Sequence, residues 1–97
     1  MTPEGRFKRD LKKELKALFP GCIIMQMDPD EIQGIPDIII LYNDRCAALE
    51  CKKSATASHR PNQDYYVDRM NEMSYSSFIF PENKEVVLNE LQQALRA

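Results

Sequence analysis

Two apolar runs, Ile35 to Tyr42 and Arg45 to Cys51, meet at Asn43-Asp44, and this juncture limits the possible folds more than any other stretch. Asn and Asp tolerate left-handed backbone, which a tight two-residue turn requires. The two runs therefore read as the strands of a β-hairpin. A turn centred between Asn43 and Asp44 sets Tyr42 against Arg45, Ile40 against Ala47 and Asp37 against Glu50. Directly opposed residues share a face of the sheet, with Cβ atoms roughly 4.5–5.5 Å apart. Lys52 lies two residues beyond Glu50 and joins them on that face. Cys51 points the other way, leaving its carbonyl between acidic neighbours.

Like charges directly opposite one another destabilise a sheet. A divalent cation removes the conflict, because carboxylate oxygens at that separation can share one hard ion. The Lys52 ammonium can then hold or deprotonate a water, or neutralise charge developing on a phosphate. Spacing alone leaves an equal alternative, in which Asp37 caps a strand end while Glu50 and Lys52 are rim charges.

The flanking segments supply helices and two further strands. Thr2-Pro3-Glu4 has the form of a helix start: an N-cap hydroxyl, proline at the first helical position and an acid in the first turn. Phe7, Leu11, Leu15, Leu18 and Phe19 recur at helical spacing until Pro20-Gly21. Arg6, Lys8, Arg9, Lys12, Lys13 and Lys16 fall largely off that stripe, as a solvated face or as phosphate contacts. Cys22 to Met27 is a strand, and residues 28–34 form an acidic loop. Lys53 to Arg60 is a polar loop. A helix from Pro61-Asn62 to about Met73 is expected to present Tyr66, Met70 and Met73. Ser76 to Phe80 is a fourth strand, and a last helix starting at Pro81-Glu82 carries Val87, Leu88, Leu91 and Leu95. The order αβββαβα predicts one α/β domain over residues 1–97, in two or three layers about one sheet.

With 97 residues there is room for one modest core, and size alone invites a homodimer or larger assembly. A formal charge of −2 does not advertise nucleic-acid binding, but the charge is unevenly spread. Residues 1–20 hold six Lys or Arg against three acids, and residues 28–44 hold five acids and no base. Residues 45–63 hold four bases against one acid, so a local basic face can exist on an acidic protein. Three cysteines without C-x-x-C spacing and a single histidine argue against structural zinc and for free thiols. With no signal-peptide h-region and no apolar run of membrane-spanning length, the expected setting is cytoplasmic and reducing, with no membrane partner.

Pro36-Asp37 and Glu50-Cys51-Lys52 on adjacent strands of such a chain resemble the PD-(D/E)xK nuclease superfamily. Gly34-Ile35-Pro36-Asp37, an acid in the first helix and a glutamine early in the helix after the lysine narrow the likeness. They are similar to the small VRR-NUC and phage-type Holliday junction resolvase-like endonucleases, over roughly residues 3–95. The resemblance implies a restriction-endonuclease-like αβββαβ core with a C-terminal helix and a central mixed sheet flanked by helices. It implies Mg²⁺ or Mn²⁺ on Asp37, Glu50 and the backbone carbonyl of Cys51, with Lys52 assisting the attacking water. Glu4 and Gln63 take the helix-borne roles; Glu14, deeper in the first helix, is an alternative to Glu4. Gln33 stands where family members often carry a base.

The leading expectation is a metal-dependent endodeoxyribonuclease acting on Holliday junction or branched DNA as a homodimer. Lys8, Arg9, Lys12, Lys13, Lys53, Ser54, His59 and Arg60 are the candidate DNA contacts, each equally readable as a solvated surface residue. Gln63 is divided evenly between a site role and an exposed helix position. Tyr65, Tyr66, Tyr75 and Phe78 are expected in the core or an interface rather than stacking on bases. The alternatives are a catalytically silent nuclease fold that binds DNA or protein, and a small structural protein whose acidic mouth is incidental.

Overall fold

The computed structural model describes residues 1–96. Its elements run α1 (Pro3–Leu18), β1 (Ile23–Gln26), β2 (Ile38–Tyr42), β3 (Arg45–Cys51), α2 (Gln63–Met73), β4 (Tyr75–Ile79) and α3 (Lys84–Arg96). The four strands form one mixed sheet in the order β1-β2-β3-β4. The first two pairings are antiparallel, and β3 pairs with β4 in parallel. A parallel pair needs a crossover, and the segment carrying α2 supplies it.

The helix signals act as read. Thr2 accepts a hydrogen bond from the Gly5 N–H at 3.0 Å, and Pro3 occupies the first turn. The hairpin turns at Asn43 and Asp44, with Asn43 at φ 56°. Its register places Tyr42 on Arg45, Ile40 on Ala47 and Ile38 on Leu49. Continued by one residue, that register sets Asp37 opposite Glu50. Regular pairing in β2 starts at Ile38 rather than Ile35. Pro36 has no N–H to give a ladder, so the strand opens just beyond it.

Strand parity divides the molecule into three layers. Ile38, Ile40, Ala47, Leu49, Cys51 and Ile79 face Leu11 and Leu15 of α1 and Val87, Leu88, Leu91 and Leu95 of α3 in the main core. The other face carries Ala48 and Glu50, and α2 packs there over β3 and β4, with Val67 buried. The side of α2 that is buried holds Gln63 and Val67. This corrects the expected stripe of Tyr66, Met70 and Met73: Met73 is 68% exposed. The helix turns instead to place its first residue against the lysine that follows β3.

Since α2 covers only β3 and β4, the β1–β2 half of that face stays open. Ile23, Met25 and Leu41 are exposed there, with Ile23 paired to Leu41 across the strands. Tyr65 is exposed too, with its ring edge-on to Tyr66, so it joins neither core layer. At the other end, β4 runs from Tyr75 and α3 begins only at Lys84. Residues 81–83 form a turn in which Asn83 Oδ1 accepts the Phe80 N–H at 2.8 Å, delaying the helix past Pro81.

A candidate two-carboxylate active site

The site lies where β2 begins and β3 ends, in a cleft of about 890 Å³. Glu4 and Lys8 of α1, Asp37, Glu50, Lys52, Lys53, Ser54, Arg60 and Gln63 all line it. They are separated in sequence by as much as the distance from α1 to α2, and the sheet order brings them together.

Gly34 closes one wall. It has φ 91°, and a Cβ there would lie 2.7 Å from the Asn62 backbone and 2.8 Å from the Pro61 carbonyl. Both the left-handed conformation and the close approach demand glycine. This contact joins the loop before β2 to the loop before α2, so the Gly-x-Pro-Asp opening also fixes where α2 starts.

Asp37 is held on both oxygens. Its Oδ2 accepts the Cys51 N–H at 2.9 Å, and its Oδ1 lies 3.2 Å from the Lys8 ammonium. Its backbone carbonyl accepts the Met27 N–H, tying the end of β1 to the site. Glu50 is only 3% exposed, and its carboxyl reaches that of Asp37. Burial, then the charge of Asp37 and a hydrogen bond to it, push the Glu50 carboxyl up to about 8. Lys52 acts in the opposite direction, and Glu4 adds to the rise. The opposed carboxylates inferred from the hairpin are thus adjacent, and without a cation they resolve their repulsion by retaining a proton.

Lys52 is 5% exposed, and its ammonium donates to Gln63 Oε1 at 2.7 Å and to the Ser58 carbonyl at 3.1 Å. An ammonium has three protons, so one remains for the cleft. Gln63 Oε1 also accepts the Arg60 N–H at 2.8 Å. Buried and bonded to Lys52, Gln63 is not the exposed helix residue that its position near an N-terminus also allowed. Cys51 buries its thiol in the main core, where burial and the Asp37 charge push it up to about 12. Only its backbone can serve the site.

The acids of α1 separate cleanly. Glu4 lines the cleft one turn before Lys8, whereas Glu14 pairs with Lys84 of α3 at 2.7 Å, away from it. The candidate DNA contacts divide likewise. Lys53, Ser54 and Arg60 line the cleft, and Lys8 lies inside it. Arg9 pairs with Asp10, Lys12 donates to Gln26 Oε1 at 2.6 Å, and Lys13 lies further along the same helix. His59 stacks on Phe78 with centroids 4.1 Å apart, and its Nδ1 is hydrogen-bonded to Asp64 Oδ1 at 2.8 Å. Phe78 thus supports the loop after Lys52. The Ser58 carbonyl belongs to the site and sequence reasoning missed it, because a backbone acceptor leaves no trace in residue type.

Hard oxygen donors suit a divalent cation, and the Glu50 carboxyl, pushed up chiefly by burial and then by the Asp37 charge, would ionise more readily beside one. Among the described residues, no three His, Cys, Asp or Glu side chains group as cation ligands. The strands bring two carboxylates together there, those of Asp37 and Glu50.

No protein-family model and no curated protein matches the chain. Among solved structures it is similar to one described as a VRR_NUC domain, with a TM-score of 0.71 and 22% sequence identity. The match covers 96% of this chain and 97% of the other. The likeness is one of architecture, spanning α1 to α3, and it shows that this chain shares the fold of that VRR_NUC domain.

Proposed function

We propose that this domain is a divalent-cation-dependent endodeoxyribonuclease. The observation that carries the reading is a buried Glu50 carboxyl against the half-buried Asp37 at a cleft, beside a lysine held by two acceptors. Asp37, Glu50 and the Cys51 carbonyl would hold Mg²⁺ or Mn²⁺. A bound cation of that kind neutralises phosphate charge and acidifies water.

The chain's own residues do the rest. Gln63 and the Ser58 carbonyl fix the Lys52 ammonium, so its remaining N–H can orient a water against the phosphodiester. Glu4 adds negative charge on the α1 side of the cleft, and Lys53, Ser54 and Arg60 offer donors for the DNA backbone. A domain of this size has little surface for reading base edges, which favours recognition of branched or junction DNA through phosphates. The open apolar face bearing Ile23, Met25 and Leu41 is where a homodimer could form, and a light-scattering mass tests that.

Nicking of plasmid and of a four-way junction with Mg²⁺, Mn²⁺ or EDTA tests the activity. Cutting that needs metal and is lost in Asp37→Asn and Lys52→Ala is the expected result. Binding without cutting under any metal supports the silent-module alternative. Absence of nucleic-acid binding even at low salt favours the small structural protein whose acidic mouth is incidental.

A further inference from the structure

We propose that Lys8 is a built-in surrogate for the divalent cation, occupying Asp37 until a metal displaces it. The inference rests on the reading of Asp37 and Glu50 as cation ligands and adds a residue to it. Its basis is the pairing pattern in the cleft. Among the described residues, Lys52 gives its hydrogen bonds to Gln63 and Ser58 and none to a carboxylate. Lys8 instead directs its ammonium to Asp37 Oδ1 at 3.2 Å, while the Cys51 N–H takes the other oxygen.

The pair is well shielded, with 17% of the Lys8 side chain and 23% of the Asp37 side chain exposed. An ammonium placed there lies against one of the two carboxylates a cation would use, and two positive charges on one carboxylate repel each other. Cation binding must therefore release Lys8. Because Lys8 sits on α1 and lines the cleft, release leaves its charge facing the space where a phosphate would enter. Metal-free protein is thereby spared part of the Asp37–Glu50 repulsion, and the first metal binds against a competitor.

Calorimetric titration with Ca²⁺ alone, without DNA, tests this on the full chain. Lys8→Gln and Lys8→Ala should bind Ca²⁺ about three- to tenfold more tightly than the unmodified protein, the effect of removing one positive charge beside the site. Lys8→Arg, which keeps the charge, should stay within about twofold. In the unmodified protein the Lys8 side-chain NMR signal should move as Ca²⁺ is added. Equal or weaker binding by Lys8→Gln and Lys8→Ala overturns the proposal while leaving the metal site standing. If the unmodified protein and Asp37→Asn give the same Ca²⁺ isotherm, and Lys8→Gln gains no binding, the metal-site reading itself fails. Circular dichroism melts confirm that each variant is folded before its isotherm is used.

Discussion

Glu50→Gln should make the metal-free protein more stable at every pH above about 4.5, with the gain complete above about 8. Glu50 is nearly fully buried against Asp37, and its carboxyl is pushed from an ordinary 4.5 to about 8. Below 4.5 the group is protonated in both the folded and unfolded chains, so it adds no pH dependence. Between 4.5 and about 8 the unfolded chain releases the proton while the folded chain keeps it, so stability falls as pH rises. Above that range the loss is complete. At about 1.4 kcal/mol per decade of proton affinity, the ceiling on this loss is about 5 kcal/mol. The effective dielectric of about 20 that holds even at buried sites lowers it to about 2 kcal/mol. Glutamine keeps the shape and carries no charge. Urea melts in EDTA from acid to alkaline pH should therefore show wild type losing stability across the window while Glu50→Gln stays flat. The two should agree at the acid end and differ by about 2 kcal/mol at the alkaline end. Adding Mg²⁺ should stabilise wild type at alkaline pH and leave Glu50→Gln unmoved. Parallel pH curves, or a variant less stable throughout, would refute the coupling between the two carboxyls.

Four further outcomes follow from named contacts. Gln63→Ala removes an acceptor from the buried Lys52 ammonium and from the Arg60 N–H, and should cost about 1.5–3 kcal/mol in denaturant melts. Cleavage by that variant should fall about 10–100-fold, as when a group that orients a site residue is lost. Gly34→Ala must place a Cβ 2.7 Å from Asn62 at positive φ, so thermal denaturation should show a loss of about 2–4 kcal/mol. Glu4→Gln should slow cleavage about tenfold or more, whereas Glu14→Gln, whose partner is Lys84, should lose only part of a surface ion pair. Leu91→Ala, in the fully buried core face of α3, should destabilise by about 2–5 kcal/mol with an unchanged denaturant slope.

Much of this protein is decided locally and is therefore visible in its sequence. The Thr2 cap, the Asn43-Asp44 turn and the apolar spacing of α1 and α3 depend on neighbours a few residues away, and each places its element without help from the rest of the chain. The hairpin goes further, because one turn sets the register of two strands. From it the adjacency of Asp37 and Glu50 and the shared face of Lys52 follow by parity alone. Tertiary structure decided what crosses between elements. Gln63 is buried rather than exposed because α2 docks over β3 and β4, and that docking also turned Met73 outward. Glu4 rather than Glu14 reaches the cleft because α1 is anchored through Leu11 and Leu15, which leaves its first turn over the ends of β2 and β3. The Ser58 carbonyl on Lys52 and the Lys8 ammonium on Asp37 depend on how a loop and a helix lie across the sheet. Residue type and spacing carry no record of such contacts, since the same lysine at the same spacing serves equally well on a solvated face.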